Sequence, residues 1–151
     1  MGIPCTPWSQ MQNINDPAGV EAKRRAAIPL LRFCREVATY QVGKKRWFLI
    51  ENPATSAIWQ HKLFVEIMML EGVTWDSTEM CMHGLKDPVS HLPYKKSVSL
   101  LHNLDPGVMA PVFLRCKRGE TKHEEHAGRR KLSGTWVKNK AISAIPKTVL
   151  Y

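Results

Sequence analysis

Long apolar runs are missing from this sequence: no stretch approaches the roughly 18 residues that a helix needs to cross a bilayer. The start, Met1-Gly2-Ile3-Pro4-Cys5, lacks a basic stretch followed by an apolar one, so no signal peptide is expected. The expected compartment is therefore the nucleus or cytoplasm, with no membrane partner. There is no CxxC pair. The four cysteines, Cys5, Cys34, Cys81 and Cys116, are far apart, and free thiols are the expectation in a reducing compartment. Acidic residues are scarce beside basic ones, 13 against 22, and the net charge of +9 makes nucleic acid the leading candidate partner. With 44% apolar and 23% charged residues, the composition is not that of a chain disordered throughout. At 151 residues it is long enough to bury one core. No internal repeat is visible.

The first 15 residues, with Pro4 and Pro7, read as a loop. Asp16 followed by Pro17 is a helix start. From there Ala27, Leu30, Leu31, Cys34, Val37 and Ala38 share one face at helical spacing, which predicts a helix over 17–40. Pro29 is expected to kink or split it. The apolar run Arg46-Trp47-Phe48-Leu49-Ile50 predicts a strand buried on both faces, ended by Glu51-Asn52-Pro53. Ser56 caps a second expected helix over 57–71, stopped by Gly72, with Ile58, Trp59, Leu63, Ile67 and Leu70 inward. Trp59, Met68 and Met69 are expected in the core. Strands are expected over 78–82 and 97–101. Alternation of helix and strand predicts an α/β fold built on a parallel sheet. Residues 1–104 form the expected core, and 105–151 an irregular basic C-terminal segment.

Ligands of open α/β sheets sit at the carboxyl ends of strands. Two segments suit that position: Ile3-Pro4-Cys5-Thr6-Pro7-Trp8-Ser9 and Glu51-Asn52-Pro53. A carboxylate ending an apolar strand is costly unless it meets a cleft or a partner. One helix-plus-strand crossover separates the two segments, so they can lie on neighbouring strand ends and face one pocket. Considered alone, Cys5 is an incidental thiol and Glu51 a helix-start carboxylate.

Pro4-Cys5-Thr6-Pro7-Trp8-Ser9 resembles the proline-cysteine nucleophile loop of DNA cytosine-5 methyltransferases, and Glu51-Asn52-Pro53 resembles the family's Glu-Asn-Val motif. A looser likeness, in Met82-His83-Gly84-Leu85 and Lys95-Lys96-Ser97-Val98-Ser99-Leu100-Leu101-His102-Asn103, is to methyltransferase modules carried within retrotransposons. The resemblance covers roughly residues 2–104. It implies the second half of a Rossmann-like methyltransferase sheet with flanking helices. It also implies Cys5 as the nucleophile on cytosine C6 and Glu51 as the proton donor at N3. Pro4, Ser9, Asn52 and Pro53 would shape the base site, and the base would be flipped from the duplex. Arg24, Arg25, Lys44 and Lys45 would hold DNA phosphates.

Departures from the family pattern bear on the expected activity. The family's donor, S-adenosylmethionine, sits on a Gly-rich loop upstream of the nucleophile loop, and this chain starts at that loop. Thr6 replaces the family's Gln, and no Gln-x-Arg-x-Arg segment is present. The expectation is a catalytic-core fragment that binds no donor and does not methylate DNA by itself, with a partner in trans supplying the missing half of the sheet. Two other readings stay open. One is a non-enzymatic basic nucleic-acid-binding module. The other is a small zinc-stabilised interaction protein using Cys81, His83, Cys116, His123 and His126, whose spacing matches no known finger.

Overall fold

The computed structural model describes residues 1–117, 122–123, 129–132 and 135–138. Two short 3-10 turns, Thr6–Trp8 and Gln10–Ile14, lead into α1, Pro17–Gly43. The Asp16 carboxylate accepts from the Gly19 amide at 2.8 Å, and Pro17 fills the first turn, where no amide partner is needed. Leu31, Cys34 and Ala38 are buried at the expected spacing, whereas Leu30 is exposed. The helix runs unbroken through Pro29 rather than splitting there. Pro29 is exposed, so its ring stands clear of the core while the Arg25 carbonyl loses its usual amide partner.

The second helix is interrupted. A 3-10 turn, Ala57–Gln60, is followed by α2, Lys62–Met68. Each piece has its own cap: the Ser56 hydroxyl accepts from the Ile58 amide and the His61 ring from the Leu63 amide. Ile58, Trp59, Leu63, Phe64 and Ile67 pack with Leu31, Cys34 and Ala38 of α1 in one core, while Met69 is exposed rather than buried.

Three strands follow the order β1-β3-β2: β1 Leu49–Pro53, β2 Thr74–Glu79 and β3 Ser97–His102. The register of β1 with β3 is antiparallel, Leu49 opposite His102 and Pro53 opposite Val98. The strands are thus not all parallel, as the helix–strand alternation had predicted, and a Rossmann-like sheet is not established. Parallel pairing occurs elsewhere: residue 2 bridges Glu51 on the free side of β1. Burial alternates along β1, with Ile50 and Asn52 inward, rather than covering both faces. Glu51-Asn52-Pro53 lies within the strand, not beyond it. Of the strand expected over 78–82, residues 78 and 79 end β2, and the rest lies in a 3-10 turn, Met80–His83, closed by Gly84 in the left-handed region (φ 81°).

The described residues of the C-terminal third include regular elements. They contain the short α3, Pro106–Met109, and an antiparallel hairpin of β4, Arg129–Leu132, with β5, Thr135–Lys138. Compact packing divides the chain into Met1–Thr78 with Ser97–Phe113, and Glu79–Lys96 with Leu114–Tyr151. The division expected at residues 104/105 cuts through the first of these units. In the second unit, the buried Asp87 carboxylate accepts from the Val89 and Ser90 amides at 2.8 Å and from the Tyr94 hydroxyl. No helix among the described residues is long and apolar enough to cross a membrane.

Candidate functional site

Two segments singled out in the sequence lie side by side. Residue 2 pairs with Glu51 in parallel, and the Glu51 amide donates to the Met1 carbonyl at 3.0 Å. One residue further along each segment, the Asn52 side-chain amide donates to the Ile3 carbonyl at 2.9 Å. Asn52 is 1% exposed and Ile3 6%, so this bond is shielded from water. Parallel neighbours need a crossover, and α1 is that crossover.

Just beyond the pairing the first segment turns. Cys5 precedes the Thr6–Trp8 turn, its carbonyl accepts from the Trp8 amide at 2.9 Å, and its thiol is exposed. Pro4 is exposed; Ser9 caps the next turn by accepting from the Met11 amide at 3.2 Å. The second segment turns at Pro53, whose carbonyl accepts from the Trp59 indole at 2.9 Å.

Trp8 and Ser9, the end of the first motif, and Ala54 to Ala57, just after the second, line a cleft of about 450 Å³, within the range of small-ligand sites. Its walls include Trp8, Ser9, Arg24, Ser56, Trp59 and Trp75. Cys5 and Glu51 are not among the lining residues, so the expected single pocket is walled by neighbours of the two chemical groups rather than by the groups themselves. The Arg24 guanidinium lies 5.6 Å from the Trp8 ring centroid and donates to the Pro7 carbonyl at 3.1 Å. The Trp8 indole N–H is buried with no partner, a donor available to an acceptor atom. His61 meets the Trp8 ring edge-on at 5.3 Å, and its pKa is lowered by burial and then by Lys62, with Glu66 opposing.

The four expected phosphate-binding cations do not form one patch. Arg24 belongs to the cleft, and Arg25 makes an exposed ion pair with Glu21 at 3.5 Å. Lys44 and Lys45 lie at the far end of α1, roughly 30 Å away at about 1.5 Å per residue. Lys44 is directed over the Tyr40 ring, 5.9 Å from its centroid.

Of the proposed zinc ligands, Cys81, Cys116 and His123 come together and His83 does not join them; His126 lies outside the described residues. Sequence reading missed the Trp8–Arg24–Trp59–Trp75 cleft. Arg24 on α1 gave a signal, but Trp59, at helical spacing with Met68 and Met69, pointed to core. No protein-family model, no curated protein and no solved structure matches this chain.

Proposed function

We propose that this chain is the cytosine-handling part of a DNA cytosine-5 methyltransferase core, with Cys5 as nucleophile and Glu51 as the carboxyl group at the N3 edge of the base. One observation carries this reading: the parallel pairing of residue 2 with Glu51, tied by the Asn52–Ile3 hydrogen bond. Two loops that must act on one base leave from adjacent segments, as the motif resemblance requires. The antiparallel β3 lies between β1 and β2, so the parallel arrangement that the resemblance implies is limited to the pairing of residue 2 with Glu51. A net charge of +9 suits a phosphate-bearing partner.

In the reaction, the Cys5 thiolate forms an S–C6 bond. The C5–C6 π pair shifts through the ring toward N3, which takes a proton from the Glu51 carboxyl, so no full negative charge builds on the base. Asn52 acts by position, holding the two segments in register. The exposed Cys5 suits attack on an extruded base.

Methyl transfer is another matter. S-adenosylmethionine would need a cradle of close-packed glycines between a strand and a helix. Gly19 and Gly107 lie in first turns of helices, and a Cβ added at Gly2, Gly43, Gly72 or Gly84 would meet nothing within 4 Å. The described residues therefore do not fit the donor, and no step is derived through it. The activity assigned to this chain is base capture, with the donor half lying outside the described residues.

A duplex carrying 5-azacytosine tests this, because a ring nitrogen at position 5 lets the thiol adduct form without methyl transfer. The expected result is a denaturant-resistant adduct mapped to Cys5, absent in Cys5→Ser and slowed by about 10²–10⁴-fold in Glu51→Gln. An adduct that survives Cys5→Ser, or none at all, overturns the proposal. Incorporation of radiolabelled methyl by the purified chain, lost in Cys5→Ser, would overturn the exclusion of the donor.

A second reading draws on the cleft. The exposed Trp75 ring and the Arg24 guanidinium line it, a small stacking surface suited to single-stranded nucleic acid. That function predicts salt-dependent binding unchanged in Cys5→Ser and weakened in Arg24→Ala.

A further inference from the structure

The second compact unit holds a cluster that base capture does not use. Cys81, Cys116 and His123 each direct one ligand atom inward, and the three atoms lie within 4.8 Å of one another. Cys116 Sγ and His123 Nε2 are 3.2 Å apart. Tetrahedral zinc, with bonds of about 2.3 Å to sulfur and about 2.0–2.1 Å to nitrogen, sets its ligands roughly 3.5–3.8 Å from one another. Shifts of a few tenths of an ångström to about 1 Å per side chain would bring the trio into that range.

The ligands come from two stretches of chain already held together by backbone. Cys81 lies in the Met80–His83 turn. Cys116 lies in an extended stretch docked on the residue before that turn, where the Glu79 amide donates to the Leu114 carbonyl at 3.0 Å. All three ligands are half-buried, shielded but reachable. Burial, then the Cys116 thiol beside it, pushes the Cys81 thiol up to about 11. Two sulfurs side by side disfavour a thiolate in the absence of a cation, and a bound divalent ion reverses that balance.

We propose that Cys81, Cys116 and His123 bind zinc, which cross-links the Met80–His83 turn to the stretch around Cys116. Two thiolates and an imidazole are a donor set that selects zinc over magnesium or calcium. The site stands apart from the base-capture reading and survives its failure.

Full-length protein, purified without a histidine tag under reducing conditions, is assayed for bound metal by mass spectrometry. It is then stripped with chelator and titrated with zinc and with cobalt. The expected results are a single zinc per chain as purified and thiolate-to-cobalt charge-transfer absorption on titration. Affinity should fall in Cys81→Ser, Cys116→Ser and His123→Gln by at least the roughly 10–100-fold that losing an outer-shell partner costs. Cys5→Ser should bind zinc like the parent. Should the cysteine variants fail to fold, His123→Gln and chelator competition on the parent chain decide. No metal uptake under reducing conditions, a Cys81–Cys116 disulfide as the resting state, or uptake unaffected by His123→Gln overturns the site.

Discussion

At the scale of single residues, Asn52 shows how one side chain can set the relation of two segments. Its amide nitrogen is the donor to a shielded carbonyl, and its own side-chain oxygen is buried without a partner. Replacing it with alanine strands the Ile3 carbonyl in a place water does not reach. Asn52→Ala should therefore destabilise the fold by about 1–3 kcal/mol, measured by denaturant unfolding. A loss below about 0.5 kcal/mol, the size of an ordinary surface change, would show that the bond does not hold the segments. The Glu-Asn-Pro tripeptide was visible in the sequence, and so was an expected positioning role for Asn52. Its partner was not, because a contact between residues 3 and 52 depends on how the intervening helix returns the chain. Cys81, Cys116 and His123 all stood among the five zinc candidates, but the same limit hid which of the five meet. The two cysteines are far apart in sequence, and metal sites are read from sequence by short spacings.

At the scale of elements, α1 was the most legible feature. An aspartate cap, a proline in the first turn and a continuous apolar face all pointed the same way. Its internal proline did not break it, since burial of Leu31, Cys34 and Ala38 on the following turns outweighs one missing bond. Pro29→Ala restores the amide that the Arg25 carbonyl lacks and removes the ring at an exposed position. It should stabilise the protein by up to about 3 kcal/mol, seen as a higher thermal midpoint. A lower midpoint would mean that the Pro29 ring is needed for packing. Strand direction was illegible for a physical reason: side chains alternate identically in parallel and antiparallel strands. β2 was misjudged because Met80-Cys81-Met82 looked apolar enough for a strand, whereas the pairing residues are the polar Thr74–Glu79. The break at His61 was hidden because histidine seldom caps a helix.

At the scale of the whole molecule, two imidazoles, the buried His102 and the half-buried His61, set the pH response. Burial lowers the pKa of His102 below 6.5, with Asp76 opposing; burial and Lys62 lower that of His61, with Glu66 opposing. His102 also stacks on Phe113, and its Nδ1 accepts from the Leu104 amide, which favours the neutral ring. Below 6.5 the unfolded chain binds more protons than the folded one, so stability is full above that pH and falls as acid is added. Thermal midpoints recorded from about pH 8 down to about pH 5 should drop, and the slope should be shallower in His102→Gln. A flat profile would contradict the burial of these rings.

The pairing of residue 2 with Glu51 carries a kinetic consequence. The partners lie on either side of α1, about 40 Å of helix if laid end to end. Local hydrogen bonds can wind that helix within microseconds, but the parallel contact forms only after the ends of a long loop have found each other. The neighbourhood of Cys5 and Glu51 is thus among the last parts of the chain to assemble, and any newly made chain passes through a helical state before it can engage a ligand there.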